Sequence, residues 1–80
     1  EFDNGLLLYP NPTEGDLSID LGSTYETVTL NLTDINGTLI RSNAYNNCQL
    51  LDMRLKEPAG VYLLIVEAEE KKAVIRLVKE

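Results

Sequence analysis

Thr27-Val28-Thr29-Leu30-Asn31-Leu32-Thr33 puts Val28, Leu30 and Leu32 on one side of an extended chain and polar residues on the other. A period of two over seven residues is the pattern of a half-buried strand. The Thr and Val content suits a pleated surface better than a helix. Asp34-Ile35-Asn36-Gly37 follows directly. The Asp side chain can cap a turn, and Asn-Gly supplies residues that tolerate positive φ, so the chain is expected to reverse here. Working outward, Leu17, Ile19 and Leu21 alternate with Ser18 and Asp20, and Leu51, Met53 and Leu55 alternate with Asp52 and Arg54. A final, more mixed strand carries Ile75 and Leu77 among Val74, Arg76 and Val78. No segment keeps a helical period for three turns, so the chain is expected to be all-β.

Turn signals separate these runs. Pro10-Asn11-Pro12-Thr13-Glu14-Gly15 cannot be a strand interior, because two prolines remove ladder donors. Pro58-Ala59-Gly60 and Glu69-Glu70-Lys71-Lys72 are further turns. The expected strands lie near 6–10, 16–21, 27–33, 38–43, 49–54, 61–67 and 73–79. About seven antiparallel strands at this spacing imply an immunoglobulin-like β-sandwich. Gly60-Val61-Tyr62 supports it, since such sandwiches place a Tyr near the start of the sixth strand that bonds back to the preceding corner. Val61 to Val66 is apolar on both faces. Either the strand is covered on both sides, or one face stays open until a partner covers it.

Composition limits what such a domain can do. The chain has 80 residues, 44 % hydrophobic and 25 % charged, which suits one folded domain and not a disordered tail. Residues 1–5 read as an N-terminal boundary or linker, with Glu1-Phe2 attributable to a cloning site, and 6–80 as the domain. No apolar run approaches the ~18 residues that span a bilayer, and no secretory signal opens the chain. A targeting signal is therefore expected elsewhere, or the domain is itself the signal. The net charge is −6. Residues 1–40 carry Glu1, Asp3, Glu14, Asp16, Asp20, Glu26 and Asp34 without a Lys or Arg, whereas the last ten carry Lys71, Lys72, Arg76 and Lys79 against Glu80. Nucleic acid is excluded as a partner, because an acidic body gains nothing from phosphate. The basic end is either an edge strand charged against aggregation or a recognition element.

Catalytic chemistry finds no footing. There is no His, and Cys48 is a lone cysteine beside Leu50 and Leu51, read as a small buried hydrophobe. Asp16, Asp20 and Asp34 fall on outward strand positions or in a turn, and a nucleophile triad would lack its base. The glycines stand singly, so no phosphate loop exists. The turn acids of 11–16 lack the spacing of a calcium loop. Asn31-Leu32-Thr33 and Asn36-Gly37-Thr38 match the glycosylation sequon, which matters only in a eukaryotic secretory setting. No catalytic residue, cofactor or metal ligand is expected. The residues alone reach an acidic β-sandwich with a binding or structural role.

The order of the turns goes further. Leu8-Tyr9-Pro10-Asn11-Pro12-Thr13-Glu14-Gly15-Asp16-Leu17 resembles the opening motif of the type A C-terminal sorting domains of the type IX secretion system of Bacteroidetes. The resemblance continues through the Asp-x-x-Gly turn at Asp34 to Gly37, the Gly-x-Tyr at Gly60 to Tyr62, and a basic–apolar–apolar–basic end at Arg76-Leu77-Val78-Lys79. It covers residues 6 to 80. Two departures are Arg76, where the family usually has Lys, and a loop at 55–59 about one residue longer than the common form.

The resemblance implies an immunoglobulin-like sandwich that acts as an address. Its cargo, N-terminal in the same chain, would be exported by Sec to the periplasm. The domain would then be read by the type IX machinery, an outer-membrane shuttle and a sortase-like cysteine peptidase. Cargo would be secreted or held at the cell surface and the domain removed, so the domain would be a substrate and not an enzyme. Pro10, Asn11, Pro12, Gly15, Asp34, Gly37, Gly60 and Tyr62 would then be structural positions. Recognition would fall on Arg76, Leu77, Val78 and Lys79, through an extended strand that joins a partner's sheet edge or acidic groove. Removing 76–80 is expected to abolish secretion with much of the fold kept. An apolar final strand can also exchange between copies, giving a strand-swapped homodimer. The rival readings are a carbohydrate-binding module, with Tyr25 and Tyr45 as its stacking pair, and a structural spacer of a surface protein.

Overall fold

The computed structural model describes residues 5–80, and the boundary residues 1–4 lie outside them. Every element is a strand: β1 (Leu7–Tyr9), β2 (Asp16–Asp34), β3 (Leu39–Arg54), β4 (Gly60–Ala68) and β5 (Lys71–Lys79). The seven expected segments appear as five strands, because 16–21 runs into 27–33 and 38–43 into 49–54 without a break. Neither junction contains a proline to end the ladder. Instead the pairing shifts: Asp20 faces Leu50 and Tyr25 faces Cys48, so four residues of β2 stand against Gln49 alone. The bulge uses Gly22 at φ 84 and, on the partner strand, Asn47 at φ 52, and it bends both strands sharply.

That bend makes two layers out of one continuous ladder. The first half of β2 lies between β1 and the end of β3. Its second half lies between the start of β3 and β4, with β5 beyond β4. All these pairings are antiparallel, and the architecture is the immunoglobulin-like sandwich expected from the sequence. The alternation seen in the sequence places Leu17, Ile19, Leu21, Leu51 and Met53 opposite Val28, Leu30, Leu32, Leu64, Val66 and Leu77 in one core. Ile19, Leu21, Val28, Leu64, Val66 and Leu77 are fully buried, each contributing about 1.5–3 kcal/mol of transfer free energy.

The two corners follow their local chemistry. In the β2–β3 turn, one Asp34 carboxylate oxygen accepts from the backbone N–H of Asn36 (2.9 Å) and of Thr38 (3.0 Å). Gly37 donates its N–H to the Asp34 carbonyl at 3.0 Å with φ 88. Gly37→Val is expected to cost about 1–2 kcal/mol through that φ alone, since a Cβ would meet nothing within 4 Å. A fall in melting temperature of about 4–16 °C supports the assignment, and an unchanged melting curve refutes it. At the other corner, Tyr62 Oη donates to the Pro58 carbonyl at 2.6 Å, which is the tyrosine corner expected from Gly-x-Tyr. Gly60 does not owe its place to sterics there, as a Cβ would meet Pro58 and Tyr62 only at ordinary contact distances.

Candidate recognition site

β5 is paired to β4 on one side only, so its other edge would offer a row of open N–H and C=O groups. Part of that row is already taken. Asn11, between Pro10 and Pro12, turns its side-chain amide onto the edge like a short strand. Its Nδ2 donates to the Arg76 carbonyl at 2.8 Å, and its Oδ1 accepts from the Val78 N–H at 3.0 Å. Thr13 continues the pattern by donating its N–H to the Val78 carbonyl and accepting from the Glu80 N–H, both at 2.9 Å. A parallel bridge between Thr13 and Lys79 results. The opening motif and the closing tetrad, 65 residues apart, therefore form one hydrogen-bonded unit.

Thr13 anchors this unit and is 1 % exposed. Its Oγ1 accepts from the Gly15 N–H at 3.0 Å and donates to the Asp16 carbonyl at 2.8 Å. Gly15, at φ 152, passes its own carbonyl to the Leu55 N–H at 2.7 Å. The motif is thus stitched to both layers. Thr13 was not among the expected site residues; the only signal was its place inside the Pro-Asn-Pro-Thr run.

The tetrad itself splits between two faces. Leu77 is fully buried in the core, and Lys79, on the same inward side, donates its Nζ to the Glu57 carbonyl at 2.7 Å. Arg76 is exposed and Val78 half-buried, both facing outward. Only these two of the four present side chains to an outside partner. The expectation that much of the fold is kept without residues 76–80 is at odds with this geometry, because Leu77 fills the core and Val78 is bonded to both Asn11 and Thr13.

Glu57, also missed in the sequence, ties this end together. Its carboxylate receives Arg41 Nε at 3.2 Å, and Arg41 Nη2 reaches the Arg54 carbonyl at 2.6 Å. Partial burial pushes the Glu57 carboxyl up, but the hydrogen bond and charge of Arg41, with nearby backbone N–H groups, outweigh it and hold the group below its ordinary value. A depressed folded pKa contributes stability that is present above the unfolded value and lost as pH falls through the folded one. Glu57→Gln is therefore expected to lower the melting temperature at neutral pH, with the gap to wild type closing as pH drops below about 4. A gap independent of pH would show that packing, not charge, is involved.

The remaining candidates carry less. Burial pushes the Cys48 thiol up, away from reactivity, and Cys48 packs half-buried against the core. The stacking pair of the carbohydrate reading does not exist: Tyr25 is 5 % exposed with Lys71 Nζ 5.4 Å over its ring, and Tyr45 packs on the core. A groove of about 580 Å³ beside Tyr9 and Pro10 is lined by Asp16, Ser18, Asp52 and Arg54. Its polar groups already serve one another, Asp16 with Arg54 at 3.0 Å and Ser18 with Asp52 at 2.8 Å. Among the described residues, no group of three or more His, Cys, Asp and Glu side chains is placed to hold a metal ion.

The two end motifs brace one edge of an all-β sandwich, with Arg76 exposed on its outer side. Residues 7–80 match the model of the secretion system C-terminal sorting domain, and the chain belongs to that family. It is a C-terminal sorting signal for type IX secretion, which directs proteins to the cell surface or the outside, and the family is not a catalytic one. None of the curated proteins matches the chain.

Proposed function

We propose that the domain moves a cargo, N-terminal to it in the same chain, from the periplasm across the outer membrane after Sec export. The machinery holds it at the outward side chains of the closing tetrad, Arg76 and Val78, with Leu77 and Lys79 setting their position from the inner face. A sortase-like cysteine peptidase then removes the domain, and the cargo is released or retained at the cell surface. The observation that carries this reading is the exposed Arg76 at the braced end of β5, in a chain of net charge −6. The outer-membrane shuttle and the peptidase are the partners this reading names. A structural spacer would work at any position in a protein, whereas an address read at its end would not.

The test is a reporter fused to the N-terminal side of this chain and expressed in a Bacteroidetes host with a working type IX system. The terminal fusion is expected in the medium or on the surface, lacking the domain. The same chain placed inside the reporter should stay in the periplasm. Equal export from both positions would favour the spacer. Export with the domain still attached would remove the peptidase step alone.

A further inference from the structure

The outer face of the β4–β5 hairpin is an aliphatic stripe. The ladder sets Val61 opposite Val78, Leu63 opposite Arg76, Ile65 opposite Val74 and Glu67 opposite Lys72, and opposed residues share a face. Tyr62, Leu64 and Val66 point the other way, into the core. No layer of the described chain lies over this stripe. Val74 is 57 % exposed, and Val61, Leu63, Ile65 and Val78 are half-buried. On β2 the stripe stops at polar Asn31 and Thr33, which pair with Ile65 and Leu63. Of the two uses for the doubly apolar run Val61–Val66, a strand covered on both sides is thus not the one observed.

The charges around the stripe select its occupant. Lys72 and Arg76 flank Val74 on the same face, both exposed, and neither is in an ion pair among the described residues. A second copy is a poor fit. Antiparallel pairing of two β5 edges about Val74 would set Lys72 against Arg76, like charge on like charge. Glu67 opposes Lys72 on this face and leaves Arg76 as its surplus positive charge, while Asp16 is engaged by Arg54, Asp20 by the Gly22 N–H and Gln49, Asp52 by Ser18 and Glu57 by Arg41. Two nine-residue strands also present only ~300 Å² of face at about 3.3 Å per residue and 4.8 Å per strand, well below the roughly 800 Å² per partner of a lasting interface. Such a surface suits a partner that holds and lets go.

We infer that the outer face of the β4–β5 hairpin, centred on Ile65 and Val74 and flanked by Lys72 and Arg76, docks a protein surface of aliphatic side chains rimmed by carboxylates. This rests on the sorting-signal reading and extends its contact from the end of β5 to the middle of both strands. The partner is a component of the export machinery that engages the domain transiently. The N–H and C=O groups of Lys72 and Val74 share the outward direction of those of Val78, by alternation along the ladder. They lie beyond the reach of the Asn11 and Thr13 brace, so the same partner can add backbone bonds there.

The experiment uses the terminal reporter fusion with four chains: wild type, Val74→Glu, Lys72→Glu, and Ile35→Ser. Ile35 is 65 % exposed at the β2–β3 turn and controls for loss of any surface aliphatic. Expected are at least tenfold less export for the first two variants and wild-type export for Ile35→Ser. The purified chains should all melt within a few degrees of one another. If Val74→Glu proves unstable, Lys72→Glu decides, since Lys72 is exposed and lies outside the closing tetrad. Normal export of both variants alongside exported wild type overturns the surface and leaves the sorting reading standing. Retention of the wild-type fusion overturns both. Sedimentation of the purified chain with phosphatidylglycerol vesicles, lost in Lys72→Glu, would assign the face to a membrane and also overturn the inference. So would a solution dimer abolished by Val74→Glu.

Discussion

Deleting residues 76–80 leaves a chain that no longer folds stably. Leu77 is fully buried against the layer made by the first half of β2. Truncating one such Leu to Ala typically costs about 2–5 kcal/mol. The deletion also removes the Arg76 carbonyl and the Val78 and Glu80 backbone groups that Asn11 and Thr13 bond, and the Lys79 ammonium bonded to Glu57. Thr13 is then left with an unpaired N–H and carbonyl next to a core that has lost its side wall. A domain of this size has roughly 4–12 kcal/mol to lose, so the five-residue deletion takes most of it. Urea titration followed by far-ultraviolet circular dichroism should show the 1–75 chain largely unfolded without denaturant at 25 °C. A cooperative transition with a midpoint near that of the full chain would show that β5 contributes little to the fold. The same reasoning explains why lost export in such a deletion says nothing of recognition, whereas Arg76 and Val74, both on the outside, can be changed with the fold kept.

What the sequence disclosed and what it hid divide along the range of the interactions. The alternation at 27–33 and 16–21 carried the core faces, because a strand's side-chain period is local and every second residue must meet the other layer. The Asp34–Gly37 turn and the Tyr62 corner were legible for the same reason, their bonds spanning four residues. Continuity of β2 through Leu21–Thr24 was not legible, since a polar Gly-Ser-Thr run reads equally as a loop or as a bulge that bends a strand without ending it. The tetrad was seen as one unit because it is contiguous in sequence, yet period two sends Leu77 and Lys79 inward and Arg76 and Val78 outward. The brace from Asn11 and Thr13 to β5 bridges the whole chain, and nothing at either end alone announces it. The Pro-Asn-Pro spacing fits a loop just as well as it fits an amide held at the pitch of a strand edge.

Thr13→Val should be the most damaging substitution that removes no volume from this domain. The side chains are nearly the same shape, so the core keeps its packing, but the hydroxyl that serves two backbone groups disappears. Gly15 then has a buried N–H without its acceptor at 3.0 Å, and Asp16 a carbonyl without its donor at 2.8 Å. Each buried group left unpaired costs about 1–3 kcal/mol, giving a loss of about 2–6 kcal/mol and a fall in melting temperature of roughly 8–48 °C. Thr13→Ser retains the hydroxyl and loses one methyl, so about 1 kcal/mol is expected. The order wild type, Ser, Val in stability is the signature of a hydrogen-bonding role. The reverse order of the two variants would mean that Thr13 matters as a filler of space. Because the same residue bonds Val78 and Glu80 through its backbone, loosening it should also raise hydrogen exchange at the Val78 and Glu80 amides before the rest of β5. Exchange that rises evenly along β5 would instead show that the brace and the strand open only together.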